Sequence, residues 1–331
     1  MEEKVLETIK KNNLIENGDK VVIGVSGGPD SITLLDVLLK IKNNGKIKFN
    51  IVVCHINHLI REEAIEDEEY VINYCKKNNI EYYIKRAKVK DISKKEKIGT
   101  EEAGRKVRYE FFNEILKRTN SNKIATAHNK NDNVETVLMN IIRGSGTSGL
   151  KGIEVKRENL IRPLINCARE EIEKYCNLNC LDPRIDKTNY ENIYTRNKVR
   201  NMLIPYIKEN FNPNIIEAIN RLSDLSKEEN IYLENQTKEE YSKVLLEKKE
   251  DSIILDLKSF NLLESVIKSR IVLYTISELF GTKNGIEKKH IEDIIKLCSN
   301  NIGNKYLIPN KKVKILVKNK KIFFLLNKEF P

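Results

Sequence analysis

The sequence lacks several features that would place a protein at or beyond a membrane. No apolar run among its 331 residues approaches the length of a membrane-spanning helix. The N-terminus, Met-Glu-Glu-Lys, has neither the basic region nor the apolar stretch of a secretory signal peptide. Six cysteines are scattered without any Cys-x-x-Cys pair, which disfavours a disulfide framework or a structural zinc site. We therefore expect a cytoplasmic protein with reduced thiols and no membrane partner.

The first predicted strand is not followed by either of the two commonest phosphate-binding loops. After the apolar run 21–25 comes Ser-Gly-Gly-Pro-Asp-Ser at 26–31, and an apolar helical pattern covers 32–41. A strand, a Gly-rich turn and a helix N-terminus direct free backbone N–H groups and the positive end of a helix dipole at one point, which suits a phosphate. An ordinary Gly-rich turn of a doubly wound sheet is the alternative, and the position after a hydrophobic strand disfavours it.

The balance of charge favours a polyanionic partner. The chain has 59 Lys and Arg against 48 Asp and Glu, a formal net charge of +11. Nucleic acid is the first candidate, although a compositional bias towards Lys and Asn would produce a similar excess. The length predicts two domains, which we place at 1–212 and 213–331.

Polar residues follow a second predicted strand, 49–54. His55, Asn57, His58 and Arg61 come directly after it, where ligands of doubly wound sheets are expected. Further along the chain, a helix beginning near Thr100 is expected to carry Glu102, Arg105, Arg108 and Tyr109 on neighbouring parts of one face. A helix over 1–17, a helix over 65–79, a strand over 81–84 and a basic loop over 85–99 complete this part of the prediction.

A fourth predicted strand, 123–127, ends in His128. We expect Asn131 to cap the next helix, with Asp132 and Glu135 converging on the same side as His128 and Arg143 near that side at the helix end. A histidine with two acids at a strand end suits a cation, either Mg²⁺ or an ammonium group. The alternative is a capped helix with surface acids.

The remaining chain predicts a basic region and a second domain. The Gly-rich stretch 144–149 suggests a hinge or an anion-binding loop, and the helix after 184–189 is rich in Arg and Lys. Helices are expected over 168–179, 213–247, 262–280 and 287–299. Alternating apolar and basic residues over 305–326 predict a β-hairpin or meander with a basic face.

In this order, the sequence resembles the tRNA(Ile)-lysidine synthetase family of the N-type ATP pyrophosphatases. The motifs that carry the resemblance cover residues 20–206: SGGPDS at 26–31, HINHLIR at 55–61, EEAGRKVRYEFF at 101–112, AHNKNDNVETVLMNIIRGSGTSGL at 127–150, RPL at 162–164 and RIDKTNYENIYTRNKVRNMLIP at 184–205. The first motif marks only the superfamily, and the later motifs together point to this family. The family often has His-His-x-Asp-Asp-Gln where this chain has Asn129, Asn131 and Asn133, and its longer members carry a further C-terminal domain.

The resemblance implies an α/β fold with a doubly wound, mainly parallel sheet of the PP-loop, adenine nucleotide alpha hydrolase-like type, and a smaller α+β C-terminal domain that binds tRNA. It implies that ATP adenylates the C2 oxygen of the wobble cytidine of a CAU-anticodon isoleucine tRNA. Free L-lysine then displaces AMP. The implied cofactors are ATP and Mg²⁺, and a homodimer is left open.

The resemblance also assigns roles by position. The ATP site comprises Ser26, Gly27, Gly28, Pro29, Asp30, Ser31 and His55, with Asp30 as the metal ligand. Arg105 or Arg143 stabilises the adenylate, and the lysine site comprises His128, Asp132 and Glu135. The residues expected to contact tRNA are Arg61, Arg108, Arg184, Arg196, Lys198 and Arg200.

Three alternatives stay open. A tRNA thiolation enzyme shares the ATP loop but needs a persulfide cysteine or cluster-binding thiols, for which Cys54 and Cys167 are the candidates. An amide-forming ATP pyrophosphatase acting on a small molecule would not explain the basic charge. An RNA-binding protein with a non-functional ATP site would not explain the intact Ser26, Asp30, Ser31 and His128.

Overall fold

The computed structural model describes residues 1–59, 64–184, 191–192, 194–282, 285–300, 305–310 and 313–326. The chain divides into two compact units, Met1–Asp224 and Leu225–Pro331. The predicted domain boundary near 212 stays a prediction, since the division between the two units falls within the next long helix, Ile215–Val244.

A six-stranded sheet forms the centre of the first unit. Its order is β3-β2-β1-β4-β6-β5, and every pair is parallel except the antiparallel β5–β6 pair at one edge. The strands are β1 (Lys20–Gly24), β2 (Asn50–Asn57), β3 (Glu81–Arg86), β4 (Lys123–Ala125), β5 (Lys156–Arg157) and β6 (Leu160–Ile161).

Helices cover both faces of this sheet. Val21 and Ile23 of β1 belong to one apolar core and Val22 to the other, because successive strand residues point to opposite faces. The helices of the first unit are α1 (Glu2–Lys11), α2 (Pro29–Asn43), α3 (Ala64–Lys77), α4 (Val89–Glu96), α5 (Thr100–Arg118), α6 (Lys130–Ile142), α7 (Thr147–Leu150), α8 (Arg169–Leu178), α9 (Thr195–Lys198) and α10 (Ile204–Asn210). The predicted doubly wound α/β fold is confirmed.

Helix α5 lies very close to the central strand. A Cβ atom on Gly24 would stand 2.3 Å from Cζ of Phe112, a fully buried side chain of α5. A side chain at position 24 would therefore collide with the buried Phe112 ring, through which α5 packs against β1.

Several sequence-based element predictions were wrong at the local level. The first helix ends at Lys11 and not near residue 17, and the predicted basic loop 85–99 contains helix α4, which buries Val89. The Gly-rich stretch 144–149 leads into the short helix α7. The hairpin of β5 and β6 was not predicted, because two-residue strands leave no periodicity to detect.

The second unit is an α+β structure around a five-stranded antiparallel sheet. Its strand order is β7-β8-β11-β10-β9, and the predicted alternation gives β10 the burial pattern in which Val313, Ile315 and Val317 face the core. The strands are β7 (Leu245–Lys248), β8 (Ser252–Asp256), β9 (Lys305–Asn310), β10 (Val313–Lys318) and β11 (Lys321–Leu326). The helices that follow α11 (Ile215–Val244) are α12 (Leu257–Leu262), α13 (Ser265–Phe280) and α14 (Lys288–Ser299). The smaller α+β C-terminal region is confirmed.

Within the described ranges, no helix has both the length and the apolarity needed to cross a bilayer.

Candidate active site

The strand order creates a crevice between the ends of β1 and β4. From β1 the chain winds to β2 and β3 on one side of the sheet and to β4 and β6 on the other. At such a reversal the two loops that leave the strands diverge and open a binding crevice. Here one loop is the predicted phosphate loop 26–31, and the other carries His128 into helix α6.

The phosphate loop is held by its own serines. The backbone N–H of Ser26 donates to Oγ of Ser31 at 3.0 Å, and the Ser31 hydroxyl donates to the carbonyl of Gly28 at 3.0 Å. Gly27 has a φ of +92°, a conformation that favours glycine. Gly28 caps helix α2 and Pro29 occupies its first turn. The loop therefore presents a helix N-terminus at the crevice, as an anion site requires.

Helix α6 begins with a reciprocal cap at Asn129. Its side-chain oxygen accepts from the Asp132 N–H at 3.0 Å, and the Asp132 carboxylate accepts from the Asn129 N–H at 3.0 Å. The predicted cap at Asn131 was wrong, because the side chain of Asn131 instead accepts from the backbone N–H of Arg169 at 3.0 Å. The capping box orients Asp132 at the start of the helix.

Asn129 also joins the two loops of the crevice. Its side-chain NH₂ donates to the Asp30 carboxylate at 2.9 Å. Burial and then the negative charge of Asp132 raise the pKa of Asp30 to about 6. The residue that stands where the family often has a histidine thus holds the phosphate-loop carboxylate.

The acidic cluster, defined as Asp30, Asp132 and Glu135, contains a partner that the sequence did not predict. Arg200 donates from Nε to Glu135 at 2.5 Å and from Nη2 to Asp132 at 3.1 Å. Only 1% of the Glu135 side chain is exposed, and its burial raises its pKa although Arg200 opposes the shift. Asp132 and Glu135 therefore already hold a cation.

Arg200 was predicted to contact tRNA, and in the structure it forms this internal ion pair. It lies in a π-helical turn, Val199–Leu203, between α9 and α10. Such turns redirect side chains and often occur at functional sites. Its neighbour Lys198, also predicted to contact tRNA, is exposed.

The basic cluster, defined as Arg105, Arg162 and Arg196, places three guanidinium charges near His128. Burial is the main cause that lowers the pKa of His128 to about 4, Asp132 opposes the shift, and the three guanidinium charges act with burial. His128 Nδ1 lies 3.0 Å from the hydroxyl of Thr126. The imidazole is therefore neutral near pH 7 and able to accept a proton.

Arg162 lies in the RPL motif at 162–164, but it was not predicted as a site residue. It follows β6 directly, at the same end of the sheet as His128, and its residue is only 6% exposed. A charged residue after a short apolar pair was the available signal. That signal is weak, because the two strands of the hairpin have two residues each.

The two histidines after the second predicted strand occupy different positions. His55 lies inside β2 and is buried, with Nδ1 at 2.9 Å from the carbonyl oxygen of Val25. Burial lowers the pKa of both histidines, that of His58 to about 4, with the charge of Arg108 as a further cause at His58. His55 Nε2 and His58 Nδ1 are buried without a hydrogen-bond partner in the described part of the chain.

The remaining arginines that were predicted as site residues lie in different places, and some of them are far from the crevice. Arg143 caps the far end of the 13-residue helix α6, roughly 16 Å along the helix axis from Asp132, and is exposed. Arg184 pairs with Glu66 and donates its backbone N–H to Gly27 at 3.0 Å, next to the phosphate loop. Arg61 lies outside the described residues. Arg108 is exposed on α5.

The donor set fits Mg²⁺. This ion commonly takes one or two protein carboxylates and completes its octahedral shell with phosphate oxygens and waters. Asp30 supplies a carboxylate within the loop, and its pKa is raised by burial and by repulsion from Asp132, both of which a bound cation would oppose. Among the described residues no group of three or more His, Cys, Asp or Glu forms a closed metal cage.

The chain matches characterised families over most of its length. The PP-loop domain family matches residues 1–207. The chain is 47% identical to the tRNA(Ile)-lysidine synthase of Clostridium acetobutylicum over 310 residues, which are 92% of this chain and 66% of that protein. It is 44% identical to the enzyme of the same name from Clostridioides difficile, over 97% of this chain and 71% of that protein. The chain thus spans about two thirds of the length of these curated relatives.

A solved structure shares the fold. The U34-tRNA thiolase NcsA from Methanococcus maripaludis, with its [4Fe-4S] cluster, superposes with a TM-score of 0.56. The match covers 68% of this chain and 78% of that chain at 22% identity, so the likeness is one of fold alone. The much higher identities decide the family within this fold. The chain belongs to the tRNA(Ile)-lysidine synthase family of PP-loop proteins.

Proposed function

We propose that this chain joins free L-lysine to C2 of the wobble cytidine in an isoleucine tRNA with a CAU anticodon, at the expense of ATP. The proposal rests on one observation above all. A buried carboxylate pair that already holds a cation, Asp132 and Glu135, is linked through Asn129 to the carboxylate of a phosphate loop. A site of this kind suits an ammonium group beside a nucleotide.

The reaction has two balanced steps. In the first, the C2 oxygen of the cytidine attacks the α-phosphorus of ATP, and the bond to the bridging oxygen of the β-phosphate breaks. Pyrophosphate leaves with that electron pair. In the second, the ε-nitrogen of lysine attacks C2, and the C2–oxygen bond breaks to release AMP. The lysine ammonium loses one proton before its attack and the new C–N group loses another after it.

The phosphate loop binds the pyrophosphate portion of ATP. Its backbone N–H groups and the N-terminus of helix α2 stabilise the negative charge that develops on the leaving group. Asp30 would hold Mg²⁺, which when bound neutralises charge on the phosphate oxygens. The hydrogen bond from Asn129 keeps the Asp30 carboxylate directed towards the crevice.

The carboxylates of Asp132 and Glu135 bind the lysine. Its ammonium would share these carboxylates with the Arg200 guanidinium, which occupies two of their oxygens through Nη2 and one through Nε. His128, whose pKa is lowered to about 4 by burial, is unprotonated near pH 7 and accepts the proton that the ammonium must lose. The lowered pKa makes this a weak base, so the proton passes on to solvent.

Positive residues around the crevice and in the second unit bind the tRNA. Arg108 and Lys198 are exposed on α5 and α9, and a formal net charge of +11 adds a long-range attraction for the phosphates. The basic face of the antiparallel sheet contributes shape and phosphate contacts rather than base reading. Homodimer formation stays a prediction.

Thiolation is the alternative that shares this fold, and the cysteines disfavour it. Burial raises the pKa of Cys54 to about 12 and that of Cys167 to about 11. Because the thiolate is the nucleophile and the metal ligand, thiols with such pKa values are poorly reactive near neutral pH.

The test is incorporation of radiolabelled lysine into bulk tRNA with ATP and Mg²⁺. We expect label in the CAU-anticodon isoleucine tRNA with the wild type and none with Asp30→Ala. Pyrophosphate release that requires tRNA but gives no lysine label would redirect the proposal to thiolation. Absence of both activities in the folded wild type would favour a protein that only binds RNA.

A further inference from the structure

Asn133 lies in the first turn of α6, next to the carboxylates of the acidic cluster, and the proposed reaction does not use it. It follows Asp132 directly. Successive helical residues are roughly 100° apart, so Asn133 and Glu135 lie roughly 160° apart around the helix. Only 2% of Asn133 is exposed. Any effect of Asn133 on a ligand in the crevice must therefore pass through the protein.

The side chain of Asn133 joins α6 to two other elements. Its Nδ2 donates to Oδ1 of Asn220 at 2.8 Å and to Oγ of Ser223 at 3.2 Å, and both partners lie on α11. Its Oδ1 accepts from the backbone N–H of Ile153 at 2.7 Å. Ser223, which is fully buried, in turn donates to the carbonyl of Lys151 at 2.8 Å. A buried network whose members are satisfied makes the elements that it joins rigid.

The turn at 151–153 fits the Asn133 amide closely. A Cβ atom on Gly152 would stand 2.1 Å from Oδ1 of Asn133, and Gly152 has a φ of +61°, a conformation that favours glycine. The backbone at this point leaves no room for an additional methylene group between the turn and the amide. The short side chain of Asn133, where the family often has Gln, suits this close approach.

Two further contacts hold the same part of α6 against α11. Lys130, the first residue of α6, pairs with Glu217 at 2.5 Å. Val137 packs with Ile216 in one apolar core. Helix α11 thus supports α6 along one side, and the Asn133 amide is the buried polar contact at the centre of that support.

We propose that Asn133 is a positioning residue of the lysine site, because its network fixes the rotation of α6 about the helix axis. A group about 6 Å from the axis moves by about 1 Å when a helix turns by roughly 10°. Displacements of this size are enough to impair a binding or catalytic site. The network thereby sets the positions of the Asp132 and Glu135 carboxylates. The inference deepens the proposed function and rests on it for the identity of the ligand.

The experiment compares Asn133→Leu with Asn230→Leu in the full chain. Leucine has nearly the shape of asparagine but cannot form the hydrogen bonds. Asn230 is also 2% exposed and lies on α11, and its partners, the carbonyl of Ser226 and the guanidinium of Arg270, belong to the second unit. It therefore controls for the loss of a buried amide. Thermal unfolding measures stability, and steady-state ligation assays measure kcat and KM for lysine, ornithine and ATP.

At a temperature where both variants are folded, we expect Asn133→Leu to raise the KM for lysine roughly tenfold and to change the KM for ATP by less than about twofold. The preference for lysine over ornithine, whose side chain is one methylene shorter, should narrow by roughly threefold or more, because displaced carboxylates match the longer chain less well. Asn230→Leu should lower the unfolding temperature and leave these values unchanged. A merely structural role would scale every rate with the folded fraction and would move neither KM nor the preference.

Ser223→Ala is a milder variant of the same network, and it serves as the test if Asn133→Leu does not fold. It removes one acceptor of the Asn133 amide and leaves the hydrogen bond to Asn220. We expect a smaller change of KM for lysine in the same direction. Added to Asn133→Leu, it should change this KM little further, because residues of one network are not additive.

The proposal is overturned if the wild type ligates lysine and the folded variants at 133 and 223 keep its KM for lysine and its preference over ornithine. It is also overturned if Asn230→Leu causes the same changes, because reduced stability would then explain them. A wild type that ligates no lysine contradicts the proposed function itself, so the assay of the wild type distinguishes the two failures.

Discussion

The acidic and basic clusters both lie near His128, and they differ in how their charges are balanced. Asp132 and Glu135 have an internal counter-cation in Arg200, and Asp30 has a hydrogen-bond donor in Asn129. The basic cluster has no such carboxylate partners among the described residues, and two of its Nε atoms are buried without acceptors. The difference suggests that a cationic ligand would share or replace the Arg200 guanidinium at the acidic cluster. At the basic cluster, an anionic ligand would bind without replacing any partner.

This contrast separates stability from binding. A cluster that is internally paired contributes to the folded state before any ligand arrives, whereas an unpaired cluster stores unfavourable free energy that a ligand relieves. Variants of the acidic side should therefore affect both stability and chemistry. Variants of the basic side should affect ligand affinity first.

The largest effect is expected for Asp30→Ala. We expect tRNA-dependent pyrophosphate release to fall roughly 100- to 1000-fold, because the substitution removes the carboxylate beside the leaving group. The affinity of the basic cluster for AMP or RNA should not change in this variant. Asp91→Ala, which removes an exposed carboxylate from α4, is the control. A loss below tenfold would contradict the role of Asp30.

Arg200→Gln is expected to destabilise the folded protein by about 3 kcal/mol, because it leaves buried Glu135 without its counter-charge. Chemical denaturation measures this change, and the double variant with Glu135→Gln should recover part of it. The salt slope of tRNA binding should not change. If the slope falls by about one and stability is retained, Arg200 contacts a phosphate as the sequence predicted.

Asp132→Asn should raise the KM for lysine roughly 10- to 100-fold, since a hydrogen bond to a charged group is lost. The amide oxygen can still accept from the Asn129 N–H, so the cap is retained. Steady-state rates at varied lysine concentration measure the effect. Glu110→Gln, an exposed site on α5, provides the baseline, and an unchanged KM would remove Asp132 from the lysine site.

Asp30 and His128 should give opposite pH dependences of stability. Asp30 has a folded pKa of about 6, above its unfolded value, so its contribution is present below pH 4 and is lost as the pH rises through 6. His128 has a folded pKa of about 4, below its unfolded value, so its contribution is present above pH 6.5 and is lost as the pH falls towards 4.

Each contribution should amount to roughly 1–2 kcal/mol, allowing for partial access of solvent. Without Mg²⁺, the free energy of unfolding of Asp30→Asn should increase more steeply between pH 4 and 6.5 than that of the wild type. Over the same pH range, the free energy of unfolding of His128→Gln should increase less steeply than that of the wild type. Denaturant titrations at several pH values measure both, and parallel curves for the two variants would contradict the assigned directions.

The smallest effect is expected for Arg143→Ala. Because Arg143 is exposed at the far end of α6, its loss should change lysine ligation by no more than about twofold. The same assay with Arg105→Ala supplies the comparison, since Arg105 belongs to the basic cluster. A tenfold loss for Arg143→Ala would restore the role that the sequence first suggested.

Much of the fold was predictable because local patterns specify it. The strand, loop and helix around 21–43, the helix that begins at Thr100 and the alternating strands of the second unit were each confirmed. Helix α4 and the hairpin of β5 and β6 were not predicted, because a Lys-rich helix of eight residues and two-residue strands have weak periodicity. The cap at Asn129 was missed because three asparagines alternate along the same turn.

The sequence by itself determined which residues stand at the ends of the strands, and therefore the phosphate loop, His128, Asp132 and Glu135 as candidates. Only the tertiary structure decided which charges are paired. Arg200 reaches Glu135 across 65 residues, and Arg162 reaches no carboxylate among the described residues. The physical reason is that Coulomb interactions and the cost of removing a charge from water depend on distance and burial, which only the folded chain defines.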